Sequence, residues 1–179
     1  GEEKQGYYSD FNGLVHLAKS YRDAYVYDGQ FSTHRKKTFG IKAEHNEGKQ
    51  FIVFSQNHDQ VGNRMLGERS SVLVSFEMQK LMAGAVMLAP YLPMLFMGEE
   101  WSERNPFQYF VSHTDPELAQ AVTEGRKKEF KDFHSSGEAP DPMDVETFNR
   151  SKLQCDSLQQ EPHATMLSFD KSLTSLRTR

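Results

Sequence analysis

Three carboxylates stand where a strand could hand over to a loop. Asp59 lies in FIVFSQNHDQVGNR (Phe51–Arg64), and Glu99 and Glu100 lie in GEEW (Gly98–Trp101). In the first stretch an apolar run ends abruptly in Gln56, Asn57, His58, Asp59, Gln60, Asn63 and Arg64. Two carboxyl groups about 5 Å apart can serve as nucleophile and general acid in glycoside hydrolysis. Amide, imidazole and guanidinium groups beside them suit sugar hydroxyls, so Asn57, His58, Gln60 and Arg64 are candidate substrate contacts, with Glu99 and Glu100. A plainer reading uses the same groups structurally. Asp59 then caps a helix or pairs with an arginine, and the two glutamates pair with Arg64 or Arg69. Spacing alone leaves both readings open.

The elements that must position these residues read as follows. Phe51–Phe54 is short, apolar, aromatic and β-branched, as expected of a parallel strand buried on both faces. A buried helix is expected over Ser71–Leu88, ended by Pro90 and Pro93, with a second strand over Met94–Gly98. Residues 51–98 then form a βαβ unit. Ligands of such folds bind beyond the carboxyl ends of the strands. Both loops occupy that position, so they are expected to bring Asp59, Glu99 and Glu100 to one cleft.

Around this unit, a helix is expected over Leu14–Tyr25, capped by Asp10 or Asn12, with Leu14, Leu17, Ala18, Tyr21 and Tyr25 as its apolar stripe. Residues Asp28–Gln50 read as a long loop. Thr114 and Glu117 form a capping box, with Pro116 in the first turn, for a helix reaching Phe133. His134–Asp144 reads as a loop and VETFNRSKL as a short helix. A last helix, His163–Leu176, turns Met166, Leu167, Phe169, Leu173 and Leu176 to a core.

Composition narrows the class. The 179 residues are 37% hydrophobic and 26% charged, with net charge −4, pI about 6.0 and mean hydropathy −0.70. These values suit about one soluble domain with long loops. There is no basic excess, and HRKK (His34–Lys37) reads as a solvated loop, so nucleic acid is not expected as a partner. The apolar stretch Leu81–Gly98 is interrupted by two prolines and does not suit a membrane span. Cys155 is the only cysteine, which is compatible with the cytoplasm. The opening GEEKQGYYSD has no signal-peptide pattern. It also lacks an initiator Met, so a piece of a longer protein is expected. GNRMLGER lacks the Lys and Ser/Thr of a phosphate loop, and HExxH, CxxC and GxSxG are absent. His58 and His113 have no partner at metal-ligand spacing. No metal and no cofactor is expected, and the methionines from Met78 to Met97 read as core.

FSQNHDQVGNR, LMAGAVMLAPYLPMLFMGEEW and PFQYFVSHTDPELAQAVTEGRKKEF resemble the malto-oligosyltrehalose trehalohydrolase family, within the α-amylase group of retaining glycoside hydrolases. GYYSDF, VYDGQFSTHR and PDPMDVETFNRSKL match in the same order. NHD alone would indicate only the wider group; the longer string narrows it. The resemblance implies α/β architecture: the C-terminal part of a (β/α)₈ barrel, with strands seven and eight and their helices across residues 1–179. It implies that Asp59 stabilises an oxocarbenium-like transition state and that His58 binds sugar. Glu99 and Glu100 become supporting residues. The nucleophilic Asp and the acid/base Glu belong to motifs that this sequence does not contain, so the chain alone is expected to be inactive. The activity implied for the whole enzyme is hydrolysis of the α-1,4-glucosidic bond next to the trehalose end of malto-oligosyl trehalose, which releases trehalose.

Alternatives are a glycogen branching or debranching enzyme, or a non-catalytic module that binds oligosaccharide or protein. Two strands without neighbours leave open edges. A helix-dominated chain with a small parallel sheet, associating with itself, is therefore expected.

Overall fold

Ile52–Val53 (β3) and Leu92–Pro93 (β4) pair in parallel, and each is only two residues long. The computed structural model describes residues 6–132 and 139–178. Its elements form two compact units, Gly1–Val53 with Ala89–Met94, and Phe54–Leu88 with Leu95–Arg179.

In the first unit, the second strand lies earlier than Met94–Gly98, and it contains Pro93. Hydrogen bonding explains why the proline is tolerated. The N–H of Leu92 donates to Phe51 O at 2.9 Å and that of Met94 to Val53 O at 2.8 Å. The residue between them faces the other way and has no donor to lose in this ladder. The expectation of a strand buried on both faces fails: Ile52 is 61% exposed. Apolarity reported what such a strand needs, but each strand here has one neighbour.

The loop expected over Asp28–Gln50 contains an antiparallel hairpin, Asp28–Ser32 (β1) with Lys37–Gly40 (β2). Its signal was weak because a tight turn separates two short, mostly polar strands. Asp10 organises the turn, accepting from Tyr27 Oη (2.9 Å), Ser32 Oγ and the His34 N–H (3.1 Å). That use explains why it caps no helix. The first helix, Gly13–Asp23 (α1), has no side-chain cap from Asn12, and Leu14 and Leu17 of its stripe are exposed, as is Val15 beside them. Phe51 packs between Tyr25 and Tyr91, with ring centroids at 6.2 and 5.6 Å.

The second unit is helical. The expected helix over Ser71–Leu88 is two: Ser70–Leu73 (α3) and Phe76–Met87 (α4). Val74 is extended, and Ser75 caps α4 by accepting from the Met78 N–H. Before α3 comes the short helix His58–Gly62 (α2). Pro116–Asp132 (α5) is capped by Asp115, whose Oδ1 accepts from the N–H groups of Glu117 and Leu118. Thr114 does not fill that role, because Asp115 directly precedes Pro116 and reaches the free donors first. Phe133 and residues 134–138 of the expected loop lie outside the described residues. Val145–Arg150 (α6) is capped by Asp144, and His163–Arg177 (α7) follows.

The core of this unit joins α4 to α7 through Ala83, Met87, Leu173 and Phe169. Met166 is buried as expected, whereas Leu176 is exposed. Among the described residues, no helix is long and apolar enough to cross a membrane.

Candidate active site

Asn57 begins the site by ending the extended chain. It is the N-cap of α2: the Asp59 N–H donates to its Oδ1 at 2.8 Å, and its own N–H donates to Gln60 Oε1 at 2.9 Å. This capping box fixes the first helical turn. Asn57 and Gln60, both expected to contact substrate, are therefore engaged with the backbone.

The box leaves Asp59 presented outward, with its side chain 66% exposed and Oδ1 3.2 Å from His58 Nε2. Among the described residues, Asp59 neither caps the helix nor pairs with an arginine. Arg64 lies one turn beyond and pairs with Glu68 at 3.3 Å instead of with Glu99 or Glu100.

The loop after β4 is built on Gly98, whose φ is +90°. A Cβ there would lie 2.6 Å from Glu103 Cβ, so glycine alone fits this left-handed, crowded position. Glu99–Trp101 then makes one 3-10 turn. Buried Glu103 holds the exit of the loop, accepting from the Arg104 and Asn105 N–H groups at 2.8 Å each and from the Gln154 N–H at 2.6 Å.

The two loops meet through Glu99, which accepts from Ser55 Oγ and, at 3.1 Å, from the Phe96 N–H. Burial raises its pKa above the ordinary carboxylate value, partly offset by these hydrogen bonds. Gln56 is buried and accepts from the Ser70 N–H at 3.0 Å, tying the polar loop to α3. The loops therefore come together as expected, but the carboxylates serve different ends. Asp59 faces solvent, Glu99 braces the loop bases, and Glu100 has a buried oxygen without a hydrogen-bond partner.

Arg69 is not their ion-pair partner either. It is 1% exposed, donates to the carbonyls of Asn105 and Met97 at 2.7 Å each, and lies over the Phe96 ring at 4.8 Å. Burial lowers its pKa.

The sequence reading missed Ser55, Glu103 and Asp170. Asp170 was detectable: it sits four residues after Met166 and three before Leu173, on the buried face of α7. Among the described residues, no cluster of three His, Cys, Asp or Glu could hold a metal ion.

Comparison with known proteins fixes the kinship. The chain is 46% identical over 175 residues to a malto-oligosyltrehalose trehalohydrolase of Saccharolobus solfataricus. It is 43% identical over 178 residues to that of Brevibacterium helvolum, with 98% of the chain covered in each case. The chain is a relative of the malto-oligosyltrehalose trehalohydrolases. It spans about 30% of the length of these relatives. A 1.4 Å crystal structure of a "Putative alpha Amylase from Salmonella typhimurium" superposes with a TM-score of 0.89 at 40% identity, covering 98% of this chain and 30% of the other. No protein-family model matches. The trehalohydrolase kinship carries the expected family. The alpha-amylase likeness fits the helix-rich fold with small sheets.

Proposed function

We propose that the chain is the part of a (β/α)₈ barrel that supplies the seventh and eighth strands, β3 and β4, with their helices. In this reading residues 1–179 form one partial catalytic domain, with the strand–helix–strand stretch over residues 51–98 and loops and helices over 99–179. The whole protein hydrolyses the α-1,4-glucosidic bond next to the trehalose end of a malto-oligosyl trehalose and releases trehalose. The names of the relatives support the substrate, and the parallel β3–β4 pair with a helical connection supports the barrel.

The observation that carries the reading is Asp59. Its carboxylate stands exposed in the first turn of α2, held there by a capping box. An oxocarbenium-like transition state gains positive charge at the sugar ring. A fixed carboxylate interacts with that charge more strongly than with the neutral ground state. Asp59 takes this role, and His58, 3.2 Å from it, contacts a sugar hydroxyl. Arg64 lies just beyond the other end of α2, paired with Glu68. The nucleophile and acid/base carboxylates come from sequence outside these residues, so the chain alone is inactive.

The test is Asp59→Asn in the full-length protein, assayed for trehalose release from maltotriosyl trehalose. Turnover is expected to fall by at least about 100-fold, with little change in KM and none in thermal stability. Turnover near that of the unaltered enzyme overturns the role given to Asp59.

A further inference from the structure

Leu95, Met97, Glu100, Leu167, Asp170, Lys171, Thr174 and Ser175 line a groove of about 620 Å³ between the chain after β4 and one face of α7. Leu95 and Met97 are exposed, whereas Asp170 at the base is only 4% exposed. Neither Asp170 oxygen has a hydrogen-bond partner, and Glu100 Oε2 is buried in the same condition. A buried carboxylate left without a partner is costly, because it has lost water and gained nothing in return. Lys171 does not answer it, since consecutive helix residues do not face each other.

We propose that this groove is a docking site for a polypeptide segment presenting one arginine between apolar side chains. The chemistry selects the occupant. A guanidinium is planar, carries five N–H donors and can serve two carboxylates at once, which an ammonium does less well. Its aliphatic stem and apolar neighbours match Leu95, Met97 and Leu167, a wall that a bare inorganic cation would not use. A metal ion is a poorer fit, because the groove offers only two carboxylates and no histidine or cysteine.

The test uses the ¹⁵N-labelled 179-residue chain and three probes: acetyl-Leu-Arg-Leu-amide, the same peptide with citrulline for arginine, and guanidinium ion. Saturable shifts of the amide resonances of residues 95–100 and 167–175 are expected with the arginine peptide in the millimolar range. Citrulline is nearly isosteric but uncharged, and at least a tenfold weaker response is expected from it. Asp170→Asn and Glu100→Gln, each judged folded from its own spectrum, should weaken arginine-peptide binding at least fivefold. Equal responses to arginine and citrulline overturn the charge recognition. Guanidinium binding as tightly as the peptide overturns the polypeptide occupant. No shift at 20 mM peptide overturns the site.

Discussion

The Ser55 hydroxyl donates to the Glu99 carboxylate across 44 residues of chain, joining the segment before α2 to the turn after β4. Glu99 also takes the Phe96 N–H and is largely withdrawn from water. Removing the hydroxyl leaves one oxygen of a buried carboxylate short of a donor. Ser55→Ala is expected to destabilise the chain by about 1–3 kcal/mol. Glu99→Gln, which keeps an acceptor, should cost less. Urea denaturation of the two variants checks the order.

Asn57 and Gln60 test whether a polar residue beside a site acts on the ligand or on the fold. Both are committed to the α2 capping box. Asn57→Ala should therefore lower stability by about 1 kcal/mol. Asn57→Asp, which retains the capping oxygen, should recover most of it. In the full-length enzyme, Asn57→Asp retaining turnover within about threefold would support the structural role. A loss as large as that expected for Asp59→Asn would return Asn57 to the substrate-contacting group.

What the sequence made legible follows from which signals are local. The apolar run before a polar loop marked β3, and the end of that run marked the loop that holds Asp59. The helices α5, α6 and α7 followed from spacing, because that pattern spans three or four residues, although the cap of α5 is Asp115 and not Thr114. The split between α3 and α4 was hidden because Val74 and Ser75 look harmless inside an apolar helix. The position of β4 was hidden because its register depends on a partner some 40 residues away. The separate fates of Asp59, Glu99 and Glu100 were likewise unreadable. Exposure and hydrogen-bond partners decide them, and neither is a property of residue type.

The short parallel pair predicts association. Ile52 and Leu92 are exposed on strands whose outer edges have no neighbour in the sheet. An exposed apolar edge recruits another chain. Light scattering coupled to size-exclusion chromatography is expected to show the isolated chain as a dimer or larger at tens of micromolar. Ile52→Lys should shift it towards monomer. A monomeric parent chain under those conditions would count against this expectation.

Asp170 gives stability a pH dependence of unusual sign for a carboxylate. Its pKa is raised to about 7, first by burial and then by the charges of Glu99 and Glu100. In the unfolded chain it titrates near 3.8. Between these values the folded chain holds a proton that the unfolded chain has released, so stability falls as pH rises. The contribution is complete below about pH 4 and gone above about pH 7. Lys171, next in the chain, is exposed. Glu99 shifts in the same direction, so one variant must be compared with its parent to isolate Asp170. Asp170→Asn cannot ionise. At pH 8 it should be more stable than the parent by roughly 2 kcal/mol, with the gain shrinking towards pH 4. Thermal melts of both chains from pH 4 to 8 measure the difference, and a gain that grows as the pH falls would overturn the assignment.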